Sequence, residues 1–235
     1  MDPTPSETRA TRHRRTPGRK PRAERIGFVK HVPRGEHYAA NPVHVVMRCV
    51  PGAPRLRSQL VLAAIGEQLR RAIRRGIAVV QYSIQLDHLH LIVEGPDAKA
   101  LARGLQWLFS RIALEVNRVA RRSGRLFRDR HFRRALTSAV GVRRALVYVM
   151  MNARKHSARR GASLVRLYDE LDPCSSAPWF EHWHADDRPP DKQISSARAG
   201  PLPPPARPST WLARSGWRRG GGPIRFGEAP AFKLI

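Results

Sequence analysis

Two histidines separated by one residue are the first candidates for chemistry in this sequence. His88 and His90 alternate with leucines in a short apolar segment that begins after Asp87. Because alternate residues of a β-strand share one face, the two imidazoles are expected side by side, about 6.6 Å apart at Cα. Two imidazoles at that spacing can bind one divalent cation. The same pattern also fits two half-buried strand histidines without a ligand, so it is a weak signal alone.

A tyrosine and an asparagine further along the chain add a second feature. Tyr148 and Asn152 are four residues apart in a segment with helical periodicity, so they are expected on one helix face. A helix crossing the histidine-bearing face of a sheet would bring a phenol and an amide oxygen towards a bound cation. Tyrosines on apolar helices are more often core residues, but the neighbouring arginines favour a phosphate-binding surface here. Tyr82, which precedes the histidines, is the rival nucleophile.

The segments that must position these side chains alternate between two patterns of apolar residues, one that repeats every two residues, as in strands, and one that repeats every 3.6 residues, as in helices. Asp97 is a plausible cap at the start of the longest helix. The order is β-α-β-β-α-β followed by a helix, which is typical of the ferredoxin-like (split βαβ) fold, an α+β class with an antiparallel sheet. The strands are predicted at 43–50, 77–86, 88–94 and 125–136, and the helices at 58–75, 97–122 and 139–158.

The composition divides the chain into three parts. Residues 1–35 are rich in arginine and proline without apolar periodicity, which predicts a disordered, flexible basic arm. Residues 36–177 carry the periodic patterns and are expected to form the globular domain. Residues 178–235 are rich in proline and glycine, which predicts a mostly irregular, linker-like tail with scattered anchors such as Trp217 and Phe226.

The charge predicts a polyanionic partner. The 235 residues contain 44 Lys and Arg against 18 Asp and Glu, a formal net charge of +26. A chain this basic favours nucleic acid as its partner. No apolar run is long enough to cross a bilayer, and no secretory signal is expected. The two cysteines fit a reducing compartment. We therefore expect a cytoplasmic, nucleoid-associated protein without a membrane partner.

Basic residues recur within the predicted elements, and together they are expected to contact DNA phosphates. They are Arg103, Arg111, Arg118 and Arg122 on the long helix, Arg128, Arg130, Arg133 and Arg134 in the fourth strand, and Arg144, Arg154 and Lys155 on the last helix.

Residues 41–160 resemble the single-tyrosine HUH transposases, and within them the branch of REP-associated tyrosine transposases. The motifs that carry the resemblance are DHLHLIVEG, GRLFRDRHFRRAL and LVYVMMNARKH, in that order along the chain. The resemblance implies a ferredoxin-like catalytic domain with Mg²⁺ or Mn²⁺. It also implies cleavage and rejoining of single-stranded, hairpin-associated DNA through a 5′-phosphotyrosine intermediate. By position, it makes His88, His90 and Asn152 the metal ligands and Tyr148 the nucleophile.

Two other functions fit the same residues. A noncatalytic basic module on this fold would bind DNA or RNA without cutting it. A metal hydrolase would use His88 and His90 to activate water, leaving free 5′-phosphate ends and no use for Tyr148. Imidazole ligands favour Mn²⁺ whereas cellular abundance favours Mg²⁺, and the sequence fits either a monomer or a homodimer.

Overall fold

One antiparallel sheet organises the chain, of which the computed structural model describes residues 36–154 and 170–230. The sheet has the strand order β2-β3-β1-β4. Its strands are β1 (Val43–Arg48), β2 (Ala78–Ile84), β3 (His88–Glu94) and β4 (Phe132–Ala135). Helix α1 (Gln59–Arg71) links β1 to β2, α2 (Ala98–Val119) links β3 to β4, and α3 (Ala139–Met150) follows β4. This order confirms the predicted α+β, ferredoxin-like class. The predicted basic arm, 1–35, lies outside the described residues.

The two connecting helices cover one face of the sheet. Helix α2 begins where the sequence predicts, because the Asp97 side chain accepts hydrogen bonds from the backbone of Lys99 and Ala100. Its apolar stripe is fully buried, as is that of α1. Together they pack against the strand residues that point to this side, among them Val45 and Leu91. This layer is the main hydrophobic core and fixes the sheet on which the histidines stand.

Helix α3 covers the other face of the sheet. Its buried residues form a second apolar cluster with Val80 of β2 and Ile92 of β3. The Ser138 side chain caps α3 by accepting from the backbone N–H of Gly141. Helix α3 thus runs over the face on which every second residue of β3 is displayed.

Three predicted elements differ from the structure. The strand expected at 125–136 forms only at Phe132–Ala135, because the backbone bends at residues 128–130, where the Asp129 side chain accepts from the backbone of Arg130. The helix expected over 139–158 ends at Met150, and residues 152–154 are helical again after a turn. The helix expected over 58–75 is α-helical only to Arg71, and residues 72–75 form a 3-10 turn that changes the helical register and leaves Ile73 exposed.

The proline-rich C-terminal segment packs on the sheet rather than trailing from it as a linker, and this corrects the expectation from composition. It contains helices α4 (Asp191–Arg198) and α5 (Trp211–Arg214) and 3-10 turns at Ala177–Trp179 and Gly216–Gly220. Trp217 and Ile224 are buried in the cluster under α3. The backbone N–H of Ala206 bonds to Val79 at the edge of β2, and the Tyr82 hydroxyl donates to Pro203. The segment therefore covers an otherwise open sheet edge, while the boundary at residue 177 stays a prediction.

Two polar contacts attach this segment to the sheet and to α3. The buried carboxylate of Glu94, at the end of β3, accepts hydrogen bonds from the backbone and hydroxyl groups of Ser209 and Thr210. Arg143 of α3 forms an ion pair with Glu228, with an N–O distance of 2.6 Å. Among the described residues, no helix combines the length and apolar composition needed to cross a bilayer.

Candidate active site

The candidate site lies between the sheet and α3. His88 and His90 both point from β3 towards α3, and the centroids of their rings are 4.9 Å apart. The neighbouring strand β1 is antiparallel to β3, with Val46 opposite His90 and His44 opposite Ile92. Since His44 and His90 are diagonal neighbours on the same face, the structure brings a third imidazole into the pair predicted from the sequence.

His88 has its ring oriented by an acidic neighbour. Its Nδ1 lies 2.6 Å from a carboxylate oxygen of Asp87. A carboxylate accepts only, so Nδ1 carries the proton and Nε2 has the lone pair. Burial lowers the pKa of His88, and the hydrogen bond to Asp87 opposes that shift. A carboxylate behind an imidazole is the usual support of a metal-binding histidine.

His90 has its ring oriented by His44. The Nδ1 of His90 lies 3.2 Å from the Nε2 of His44, and the two rings are nearly parallel, at 11°. His44 is fully buried. Burial, and then the charge of Arg134, lower its pKa to about 4, so it is neutral near pH 7. His44 is a site residue that the sequence analysis did not assign, because a single strand gives no register with its neighbour.

Tyr148 reaches the same place from α3. Its ring meets that of His90 edge to face with centroids 5.2 Å apart, and that of His44 with centroids 5.9 Å apart. The side chain is 6% exposed and belongs to the cluster under α3. The structure therefore places the predicted nucleophile against the predicted metal ligand within one subunit.

Asn152 lies just beyond the end of α3, in the short helical stretch 152–154. It is 0% exposed, and neither its Oδ1 nor its Nδ2 has a hydrogen-bond partner among the described residues. Leaving an amide buried without partners costs about 1–3 kcal/mol per group. Such a group in a native fold needs an explanation, and a ligand that binds through the amide oxygen supplies one.

The donor types at these positions are ones that bind divalent cations, although Mg²⁺ and Mn²⁺ prefer carboxylates. His88 presents Nε2 because Nδ1 faces Asp87, and Asn152 offers a neutral oxygen without another partner in the described region. In residues 36–154 and 170–230, no three His, Cys, Asp or Glu side chains form a metal-binding group. A site made with Asn152 would thus combine two imidazoles and one amide, a set that both Mg²⁺ and Mn²⁺ accept less readily than carboxylates.

The rival tyrosine lies on the opposite face of the sheet. Tyr82 is 1% exposed in the core beneath α1 and α2, and its hydroxyl donates to the Pro203 carbonyl. Burial is the largest cause that raises the pKa of its phenol. Tyr82 is therefore a structural residue, remote from the three imidazoles by the thickness of the sheet.

The predicted DNA-contacting residues have several surroundings. Arg154 is buried, with its guanidinium over the ring of Phe226 and bonded to the carbonyl of that residue, so the structure removes it from the surface set. Arg111 and Arg118 both pair with Glu115 on α2. Lys155 lies outside the described residues. The remaining members are exposed or half-buried: Arg103, Arg122, Arg128, Arg130, Arg133, Arg134 and Arg144.

Comparison with known proteins finds matches among the solved structures. The chain is similar to a solved REP-associated tyrosine transposase bound to a REP hairpin, with a TM-score of 0.48 and 14% sequence identity. The match covers 63% of this chain and 82% of that one. The sequence matches no family model and no curated protein.

Proposed function

We propose that this protein is a metal-dependent, transposase-like enzyme that cleaves and rejoins single-stranded DNA through a 5′-phosphotyrosine on Tyr148. The observation that carries the proposal is the contact between the rings of Tyr148 and His90, 5.2 Å apart at their centroids. A phenol beside an imidazole pair is the arrangement that a tyrosine nucleophile with metal assistance requires. The formal charge of +26 supports a nucleic-acid substrate.

The reaction is an exchange of phosphate esters. The Tyr148 oxygen forms a bond to phosphorus, the bond from phosphorus to the 3′ oxygen breaks, and the phenol proton ends on the released 3′-OH. The energy of the broken ester is kept in the phosphotyrosine. The reverse attack by a 3′-OH therefore rejoins strands without ATP, which suits a strand-transfer enzyme.

The chain's own residues supply position and environment. Helix α3 holds the phenol of Tyr148 against the sheet, where the residue is 6% exposed. The three residues that would hold the cation are His88, His90 and Asn152. When bound there, a divalent cation polarises the phosphate and stabilises the charge that develops on the departing oxygen.

A covalent-capture experiment tests this function. The full chain is incubated with Mn²⁺ and 5′-extended hairpin DNA that carries a fluorescent label at its 3′ end, because that end stays on the phosphotyrosine. The products are separated on a denaturing protein gel. We expect a labelled band at the mass of protein plus cleaved DNA, which EDTA abolishes. Tyr148→Phe is expected to lose the band, because phenylalanine keeps the ring packing but has no oxygen.

The matched control is the other buried tyrosine. Tyr82→Phe removes a hydroxyl from the opposite face of the sheet, so it should retain the adduct. An adduct that persists in Tyr148→Phe contradicts Tyr148 as the nucleophile. DNA binding without any adduct in either metal would instead favour a noncatalytic binding module, and free 5′-phosphate ends without protein-bound DNA would favour a hydrolase.

A further inference from the structure

We propose that His44 is a positioning residue for the metal site, because its Nε2 accepts the Nδ1 proton of His90 and so turns Nε2 of His90 towards the cation. As a statement about a cation, this inference rests on the proposed function. The contact between the two rings stands on the structure alone, and the direction of the proton follows from the ligand role of His90. No motif in the sequence assigns a role to His44.

The geometry of the contact is that of an in-plane hydrogen bond. The N–N distance is 3.2 Å and the planes differ by 11°. The ring centroids are 5.4 Å apart. This distance is about the N–N distance plus the distance from each centroid to its own nitrogen, so the two nitrogens lie on the line between the centroids. The rings therefore lie edge to edge rather than stacked face to face. The lone pair of an imidazole nitrogen lies in the ring plane, where this arrangement uses it.

The position of the proton follows from what each partner can do. If His44 donated from Nε2, His90 would carry its proton on Nε2 and could not ligate a cation through that nitrogen. If His90 donates from Nδ1, its Nε2 has the lone pair, as Asp87 ensures for His88. Only the second arrangement leaves Nε2 of both His88 and His90 without a proton, so that each can act as a ligand.

The burial of His44 is a second reason to assign it a role in the site. The side chain is 0% exposed, and within the described residues the bond to His90 is the only hydrogen bond of its ring. Its Nδ1 has no partner there. A valine or isoleucine at this strand position would avoid the cost of burying that nitrogen, about 1–3 kcal/mol. An imidazole that is costly for folding and bonds only to a candidate ligand is expected to act through that ligand.

The experiment compares His44→Leu with His44→Gln in the full chain. Leucine fills the space without an acceptor, whereas the Gln carbonyl can accept the Nδ1 proton of His90. Binding of Mn²⁺ is measured from the loss of the free-ion signal in electron paramagnetic resonance. We expect His44→Leu to bind Mn²⁺ about 10- to 100-fold more weakly and His44→Gln to recover most of that loss. His131→Leu, which removes a buried imidazole packed on Phe109, should bind as the wild type does.

A second readout follows the proton itself. Long-range ¹⁵N–¹H spectra of metal-free wild-type protein should give His90 the Nδ1–H tautomer, and His44→Leu should shift His90 towards a mixture. An Nε2–H tautomer of His90 in the wild type, or equal Mn²⁺ affinity in folded His44→Leu, overturns the role of His44 alone. A wild-type protein that binds no Mn²⁺ overturns the metal site of the proposed function as well, so the two failures are distinguishable.

Discussion

The ring of Tyr148 meets the ring of His90 edge to face, with centroids 5.2 Å apart. One residue lies in α3 and the other in the central strand β3, so the contact depends on the packing of the helix on the sheet. Helix α3 is in turn held by the C-terminal segment, through Arg143 and Glu228 and through the buried Trp217. The phenol is therefore positioned by a part of the chain that composition alone assigns to a tail.

The carboxylate behind His88 leads to a first prediction. Asp87→Asn keeps an acceptor for the Nδ1 proton but removes the negative charge, so the ring becomes a weaker ligand. We expect Mn²⁺ affinity to fall about tenfold. Stability should change by less than about 0.5 kcal/mol, because the Asp87 side chain is 81% exposed. Titration calorimetry measures the first quantity and urea unfolding the second.

The control for this variant also removes one negative charge, but from a helix far from the histidines in the sequence. Glu67→Gln acts on the exposed surface of α1, where Glu67 pairs with Arg70 and Arg71. It should leave the affinity for Mn²⁺ unchanged. Equal affinities in Asp87→Asn and the wild type would mean that Asp87 does not support a ligand.

The buried amide of Asn152 leads to a second prediction. Asn152→Leu replaces a side chain that has no polar partner among the described residues with an apolar one of similar size. We expect the metal-free protein to become more stable by about 1–3 kcal/mol, while the covalent adduct with DNA is lost. Urea unfolding in EDTA checks the gain, and the denaturing gel checks the loss.

If Asn152 is a ligand and not a core residue, Asn152→Leu should raise the stability of the metal-free protein and abolish its activity. If Asn152→Leu destabilises the metal-free protein, the amide has a structural partner and its assignment as a ligand loses its basis. Asn117→Leu is the comparison, since the Asn117 side chain bonds to Gly124 and Arg122. Loss of those bonds should destabilise the protein.

Local signals explain which elements the sequence predicts well. Strand β3 forms at 88–94 as predicted, because its period-two pattern ends at Gly95-Pro96. Helix α2 starts after the predicted cap Asp97. By contrast, the fourth strand is shorter than expected: the bridge between Cys49 and Phe127 is isolated, and the ladder resumes only at Phe132. Periodicity within one segment does not contain that interruption.

The role of His44 and the packing of the C-terminal segment are not predicted from the sequence, because both depend on long-range contacts. His44 joins the site through the register of β1 on β3, which pairs His44 with Ile92 and Val46 with His90. The ferredoxin-like order places these strands side by side, but the pattern of a single strand does not give their register. The C-terminal segment is similar: its prolines suggest a linker, but Leu202 and Trp217 are buried in the two cores.

The attachment of the C-terminal segment at Glu94 leads to a third prediction. The Thr210 hydroxyl donates to the buried carboxylate at 2.7 Å and also caps α5 by accepting from Ala213. Thr210→Val removes both bonds, and we expect a loss of about 1–3 kcal/mol in the free energy of unfolding. Ser209→Ala removes the donor of one bond to Glu94 at an exposed position and should cost less. Chemical denaturation ranks the two, and an unaffected Thr210→Val would show that the segment adds no stability there.

The two cysteines lead to a fourth prediction. Burial is the main cause that raises the pKa of the Cys49 thiol to about 12 and that of Cys174 to about 11. At pH 8, about one thiol in a thousand or fewer is then a thiolate. We expect iodoacetamide to modify neither residue in the folded protein at that pH and both in urea, with mass spectrometry as the readout. Fast alkylation of the folded chain would mean that a thiol is exposed.

The arginines of α2 lead to a fifth prediction, on salt dependence. Arg103 is exposed and forms no ion pair within the described residues, whereas Arg111 pairs with Glu115 at 2.9 Å. An arginine that already forms an ion pair with a glutamate releases fewer counterions from DNA when it binds a phosphate. We therefore expect Arg103→Ala to reduce the slope of log K against log salt for single-stranded DNA by about 0.7, and Arg111→Ala to reduce it by less. Fluorescence anisotropy over a range of NaCl concentrations measures both slopes, and a larger effect of Arg111→Ala would place the DNA path nearer the middle of α2.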